Sequence, residues 1–212
     1  MPRFLVVLDV DSTLIENEVI ELLADAAGSG AAVAAITARA MNGEMDFEES
    51  LRSRVATLAG MPESVFAEVA ALVCVTGGVP EMIAGVHAFG GRVGAISGGF
   101  HEVVDPIAEA LGLDYWRANR LEIVDGAFTG RLVGRVIDAR AKAETLREWA
   151  EDFEVPLART VAVGDGANDL PMMAAAGLSV AFDAKAPVRD RADVLMNVRD
   201  LSQLLSLLGM RG

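Results

Sequence analysis

Asp9 and Asp11 stand one residue apart in Asp9-Val10-Asp11-Ser12-Thr13, directly after an apolar run at residues 4–8. Carboxylates at i and i+2 on an extended chain share a side, and their repulsion must be relieved by a proton or a cation. Oxygen donors of this kind suit a hard cation such as Mg²⁺. Acidic and hydroxyl residues also close strands, so Asp11, Ser12 or Thr13 equally suit the cap of a following helix. Farther along, Gly164-Asp165-Gly166-Ala167-Asn168-Asp169 follows a second apolar run at 160–163. Glycines on both sides of Asp165 permit a tight turn that aims its side chain back over the strand ends. Asn168 and Asp169 also fit as helix caps.

Two further features could hold an anion. Ile96-Ser97-Gly98-Gly99-Phe100 places a hydroxyl and small backbone amides ahead of a helix expected from His101. Unpaired N–H groups and the positive dipole end stabilise phosphate at such a point, although an ordinary strand-to-helix turn has the same composition. Lys142 falls in the first turns of a helix expected over 139–152, where lysine opposes the macrodipole. It reads either as a solvated surface residue or as a compact positive charge for phosphate and a carboxylate. There is no Gly-x-x-x-x-Gly-Lys-Ser/Thr segment, which argues against a P-loop nucleotide hydrolase.

The elements that must position these groups follow from the apolar pattern. Runs at 4–8, 92–96 and 160–163 read as buried parallel strands, each closed by a polar or glycine-rich turn. Helical segments are expected at 79–89, 101–111, 139–152 and 170–176, and the alternation gives an α/β core with a parallel sheet. Residues 16–75 show helical spacing without a convincing strand, punctuated by Gly28 to Gly30, Gly43 and Gly60 to Pro62 into about four helices. This reads as a helical insertion leaving the core right after the first strand. Runs at 121–124 and 127–133 flank Asp125-Gly126, a hairpin signal. Since ligands of open parallel sheets bind beyond the carboxyl ends of the strands, Asp9, Asp11, Ser97 and Asp165 are expected to meet there. Carboxylates, a hydroxyl, amides and a lysine make a phosphoryl-transfer inventory.

Composition sets bounds on partners. The chain of 212 residues is 52% hydrophobic, suited to one sizeable domain or a core with a smaller insertion. A net charge of −13 repels nucleic-acid backbones and anionic membranes, so neither is an expected partner. The single cysteine, Cys74, lies in an apolar stretch and reads as a reduced, buried thiol. No segment resembles a signal peptide or membrane span, and a cytoplasmic location is expected.

Asp9-x-Asp11-x-Thr13, Ser97, Lys142 and Gly164-Asp165-Gly166-x-Asn168-Asp169 occur in the order of the four motifs of the haloacid dehalogenase-like phosphatases, and the resemblance spans most of the chain. It implies a Rossmann-like core, 1–14 with 76–212, and a small helical cap, 15–75, that sets substrate specificity. The longer matches at 9–18, 46–54 and 164–172 resemble the branch acting on O-phospho-L-serine in the last step of serine biosynthesis. By that resemblance Asp9 becomes an aspartyl phosphate, and Asp11 protonates the leaving oxygen and then activates water. Asp9, Asp165 and the backbone carbonyl of Asp11 ligate Mg²⁺, while Ser97, Gly98, Lys142 and Asn168 hold phosphate oxygens. Asp169 orients metal-bound waters and Lys142, Glu18 meets the substrate amine, Arg54 its carboxylate, and Phe47 supplies an apolar wall. His87 and His101 match no catalytic position and are expected to be structural.

Some members of that family carry an amino-acid-binding regulatory domain ahead of the phosphatase; here the catalytic strand begins at residue 3 or 4, so such control is not expected within this chain. Besides a phosphatase of the same family for another small phosphomonoester, two other functions fit parts of the pattern. One passes the same phosphoryl group to an alcohol such as homoserine; the other is a phosphoacceptor signalling module, which the insertion and the 164–169 motif count against.

Overall fold

Leu5, Val6, Val7 and Leu8 are each 0% exposed, as a strand covered on both faces must be. They form β1 (Leu5–Leu8), which starts one residue later than the apolar run. The computed structural model describes residues 2–210. With β1 run β2 (Arg92–Phe100), β3 (Tyr115–Val124), β4 (Ala127–Val133), β5 (Thr160–Gly164), β6 (Leu178–Phe182) and β7 (Val194–Met196). Among the described residues these make a seven-stranded sheet in the order β4-β3-β2-β1-β5-β6-β7. Only the β3–β4 pairing is antiparallel, and the α/β architecture expected from the alternation is the one observed.

Period-2 alternation divides the core between the two faces of this sheet. Val6 and Leu8 join the larger cluster with Val79, Met82 and Phe100, while Leu5 and Val7 join Leu146, Trp149 and Met172 on the other side. Each fully buried Val or Leu contributes roughly 1.5–3 kcal/mol, so the central strand is held from both sides. The covering helices of the core are α5 (Val79–Ala88), α6 (His101–Leu111), α7 (Ala139–Asp152), α8 (Leu170–Ala175), α9 (Ala186–Arg189) and α10 (Gln203–Leu207); between β1 and α5 lie α1 (Val19–Ala26), α2 (Gly30–Met41), α3 (Phe47–Ala56) and α4 (Val65–Leu72). Asp138 starts α7 by accepting from the Ala141 amide at 2.7 Å, and the helix then buries Lys142, Thr145, Leu146 and Trp149 on one face.

Four helices are indeed inserted after β1, and their entry and exit run side by side. Ile15 bridges Val75 in antiparallel fashion, the Glu16 amide donates to Cys74 O at 2.8 Å, and the Thr76 amide donates to Leu14 O at 3.0 Å. This corrects the expectation for Cys74, which is exposed: α4 ends at Leu72, and in the return connection Val73 and Thr76 turn inward while Cys74 and Val75 face outward. The Asp125-Gly126 turn has φ of 52° and 74°, the left-handed pair that a tight hairpin needs. That hairpin reaches the insertion, with Phe128 and Met61 paired at 2.8 Å and the Phe66 and Phe128 rings 4.9 Å apart.

Other differences have local causes. β2 continues through Ser97-Gly98-Gly99 to Phe100, so the glycines sit in extended chain and not in a turn at the start of α6. β6 and β7 were not foreseen; three to five residues with interspersed serine or polar neighbours leave a weak pattern. No helix among the described residues is long and apolar enough to cross a membrane.

Gly94 lies under Trp149, where a Cβ would come within 2.6 Å of the indole. Gly94→Val is therefore expected to destabilise the protein by about 1–3 kcal/mol, read as a lower urea midpoint at constant slope. An unchanged midpoint would mean that the indole yields without cost.

Candidate active site

Register brings the site together before any side chain is considered. Leu8 pairs with Ala95 on one side and Val163 on the other, so β1 and β5 deliver Asp9 and Asp165 just past their carboxyl ends, beside Ser97 in the carboxyl-terminal part of β2. After β1 the chain makes a wide turn, with the Leu14 and Ile15 amides donating back to Asp9 O and Val10 O at 3.3 and 3.0 Å. Ser12 adopts φ 57°, a left-handed conformation that costs a non-glycine residue about 1–3 kcal/mol. Its amide donates to Asn17 O at 3.2 Å and its hydroxyl to Glu18 Oε1 at 2.8 Å, which anchors Glu18 beside the turn.

The turn separates the roles of the two carboxylates, where an extended chain would have stacked them. Asp9 Oδ1 accepts from the Val10 amide at 2.7 Å and meets Lys142 Nζ at 2.6 Å. Asp11 instead accepts from the Val19 amide at 2.7 Å and from Ser97 Oγ at 3.1 Å. Burial, then Glu18, pushes the Asp11 carboxyl up to about 6. Burial and Asp169 also hold Asp9 well above the usual carboxylate range.

Lys142 is 0% exposed, not solvated, and its ammonium spans Asp9 and Asp169, 2.7 Å from Asp169 Oδ1. Burial works against the ammonium, but Asp169 and Asp9 more than offset it, and its pKa stands above the ordinary lysine value. Asp169 also accepts from the Gly166 amide at 3.1 Å. Gly164 permits this approach, since a Cβ there would lie 2.4 Å from Asp169 Oδ2.

Asp9, Asp165 and Asp169 each bring a carboxylate oxygen within 4.8 Å of the others. Asp165 accepts from Thr13 Oγ1 at 3.4 Å, and burial followed by Asp169 raises its carboxyl to about 6. One lysine does not neutralise this group, and hard oxygens with a surplus of negative charge fit a divalent cation. Asp169 is spent on Lys142 and Gly166, and the Asp11 side chain stands outside the group.

These residues face a cleft of about 530 Å³ that includes Asp9, Asp11, Glu18, Arg54, Gly98, Asp165 and Asn168. Phe47 lies on the same wall as Arg54, near Gly98, where a Cβ would meet the Phe47 ring at 3.3 Å. Burial lowers the Arg54 pKa, against Glu18 and Asp11, and its Nε donates to Ser50 O at 3.3 Å. Ser97 and Lys142 stand behind the lining. The Ser97 hydroxyl is engaged with Asp11 and with the Gly99 amide, which donates to it at 2.7 Å. Gly99 keeps this corner open: a Cβ there would be 2.9 Å from Ser97 Oγ and 3.1 Å from Asp11 Oδ2.

Sequence reasoning missed Asn119, whose Nδ2 donates to Gly98 O at 2.9 Å while its Oδ1 accepts from the Ile137 amide at 2.8 Å. It braces the strand at Gly98, and because the apolar pattern begins its own strand only at 121, nothing in the residue order marked it. It missed Lys185 in the lining as well. His87 pairs with Asp114 at 2.7 Å and His101 with Asp105 at 2.6 Å, both away from the cleft lining.

The sheet is parallel except at β4, carries acidic groups past its strand ends and takes its helical insertion after the first strand. Residues 6–174 match the model of haloacid dehalogenase-like hydrolases, and the chain belongs to that family. It is 53% identical over 206 residues to the phosphoserine phosphatase of Streptomyces coelicolor, covering 97% of this chain and 50% of that protein. It is 46% identical over 204 residues to the phosphoserine phosphatase of Streptococcus thermophilus, covering 96% of this chain and 95% of that one. The chain thus spans half the length of the first relative and nearly all of the second. A solved phospho-aspartyl intermediate analogue of phosphoserine phosphatase superposes with a TM-score of 0.91 at 41% identity, covering 98% of this chain and 99% of its own.

Replacing Lys142 by methionine leaves Asp9 and Asp169 buried without their shared counter-charge. Lys142→Met is expected to lose about 3–5 kcal/mol of unfolding free energy in chelator at neutral pH, measured by urea denaturation. A loss under about 1 kcal/mol would show that the ammonium does not hold this group together.

Proposed function

We propose that this chain hydrolyses O-phospho-L-serine to serine and phosphate through an aspartyl phosphate on Asp9. The observation that carries the reading is the convergence of Asp9, Asp11 and Asp165 at one cleft that Glu18 and Arg54 also line, with Lys142 paired to Asp9 directly behind it. The names of the relatives and the intermediate-analogue structure support the same chemistry. Residues 15–75 act as the specificity cap on a core formed by the rest of the chain.

Asp9 attacks phosphorus while its other oxygen stays anchored by Lys142 and the Val10 amide, which limits the reorganisation needed to reach the transition state. Asp11 gives a proton to the departing serine oxygen, so serine leaves as a neutral alcohol. It then takes a proton from the water that attacks the phosphoaspartate, which releases phosphate and restores both carboxyls. A carboxyl near 6 holds its proton about a tenth of the time at pH 7 and can serve in both directions. Mg²⁺ bound by Asp9, Asp165 and the Asp11 backbone carbonyl would neutralise charge on the phosphoryl group. Ser97, Gly98, Lys142 and Asn168 hold the phosphate oxygens. Arg54 clasps the substrate carboxylate and Glu18 pairs with its ammonium, which selects an amino-acid ester over a plain one.

Phosphate release should be far faster from phosphoserine than from sugar phosphates, and Asp9→Asn should abolish it while leaving the circular dichroism spectrum intact. Equal rates on esters without an amino acid group would sink the specificity, and a fully active Asp9→Asn would sink the nucleophile.

Protonation predicts how a divalent cation stabilises the fold. Asp11 and Asp165 titrate near 6 in the folded chain against about 4 when unfolded, so folding retains protons between those values. Metal-free stability from these groups therefore falls as pH rises through that window. Mg²⁺ needs the ionised carboxylates, so the Mg²⁺-induced rise in Tm should be larger at pH 7.5 than at pH 5. Equal shifts at both values would separate the cation from the Asp165 carboxylate.

A further inference from the structure

Of the 18 lysine and arginine residues, only Lys142 and Lys185 are lysines, and both belong to the same end of the sheet. Lys142 is buried between carboxylates; Lys185 is exposed, lines the cleft, and has no hydrogen bond or ion pair to its side chain among the described residues. It is placed there by β6: Ala181 pairs with Gly164, so the segment after β6 runs beside Asp165-Gly166 before α9 begins at Ala186.

The charge around it gives that placement a consequence. The lining carries Asp9, Asp11, Glu18 and Asp165 against Arg54 and Lys185, in a chain of net charge −13. A phosphomonoester dianion approaching this mouth is repelled both by the whole molecule and by the cleft. Arg54 sits partly buried on α3 with Glu18 as its strongest charged neighbour. Lys185 is the cation of the lining that belongs to the sheet side and is free to meet solvent. An ammonium is a compact, hydrated point charge that attracts phosphate without the two-point clasp of a guanidinium, which suits capture followed by release.

We propose that Lys185 is an anion-steering residue that raises the local concentration of phosphate dianions at the cleft mouth and takes no part in bond making. The proposal rests on the phosphatase reading above and adds to it a determinant of substrate capture.

Its test is kcat, KM and their ratio for phosphoserine in Lys185→Met, Lys185→Arg and Lys185→Glu with Mg²⁺, from about 20 mM to about 500 mM salt. Lys185→Met should lose about tenfold in kcat/KM at low salt and converge to within about twofold of wild type at high salt. Its kcat should stay within about twofold, Lys185→Arg should recover the capture, and Lys185→Glu should lose more than the methionine variant. A loss that does not change with salt, a loss carried by kcat, or no loss would overturn the proposal. Inorganic phosphate binding by calorimetry distinguishes the two levels. Weakened, salt-sensitive binding in Lys185→Met supports steering, and unchanged binding overturns it alone. Failure of the wild type to bind phosphate would overturn the phosphatase reading itself.

Discussion

An ammonium with no access to water, Lys142, holds two carboxylates from different parts of the chain at once, and the remaining architecture depends on that contact. Asp9 comes from the end of β1 and Asp169 from the turn after β5, so the ion triad ties the two central strand ends together. Burying charge is expensive, and such a group persists only where geometry is good and the remaining lone pairs are satisfied. Here the Val10 and Gly166 amides supply those extra bonds. The triad still carries excess negative charge, and Asp165 and Asp11 add more. That surplus suits a cation, while burial first and neighbouring carboxylates second keep the Asp11 and Asp165 carboxyls near 6.

The rest of the molecule divides the labour between rigid sheet and inserted helices. The sheet, packed on both faces, sets Asp9 and Asp165 at the ends of β1 and β5 beside Ser97 of β2, where register leaves little freedom. The wide turn after β1 then holds Asp11 from both directions, through the Val19 amide and Ser97. Helices α1 and α3 bring Glu18, Phe47 and Arg54 over the same cleft from the other side. Sheet ends and inserted helices thus supply facing walls of one cleft.

Much of this was legible in the residue order because local physics carries it. α6 and α7 fall on their expected residues, since an apolar stripe at helical spacing has few other outlets. Asp125-Gly126 marks its turn because few residue pairs accept two left-handed conformations. β6 and β7 were lost because strands of three to five residues take their stability from neighbours and leave little pattern behind. Cys74 was misplaced for a related reason: an apolar stretch does not say which of its residues form the connection that runs along the outside.

The sequence by itself determined the inventory: acidic groups after apolar runs, small residues where backbone must come close, and a lysine whose place in its helix serves no local purpose. Folding decided the partnerships. That Lys142 is buried and not solvated, that Asp9 and Asp11 are turned to different partners, that Asn119 braces Gly98, and that Lys185 reaches the cleft are all contacts between residues distant in the chain. Residue types and spacings constrain the local backbone, but charge pairing and burial depend on which strands lie side by side. Those neighbours are chosen by the packing of the whole sheet, to which each segment contributes only a part.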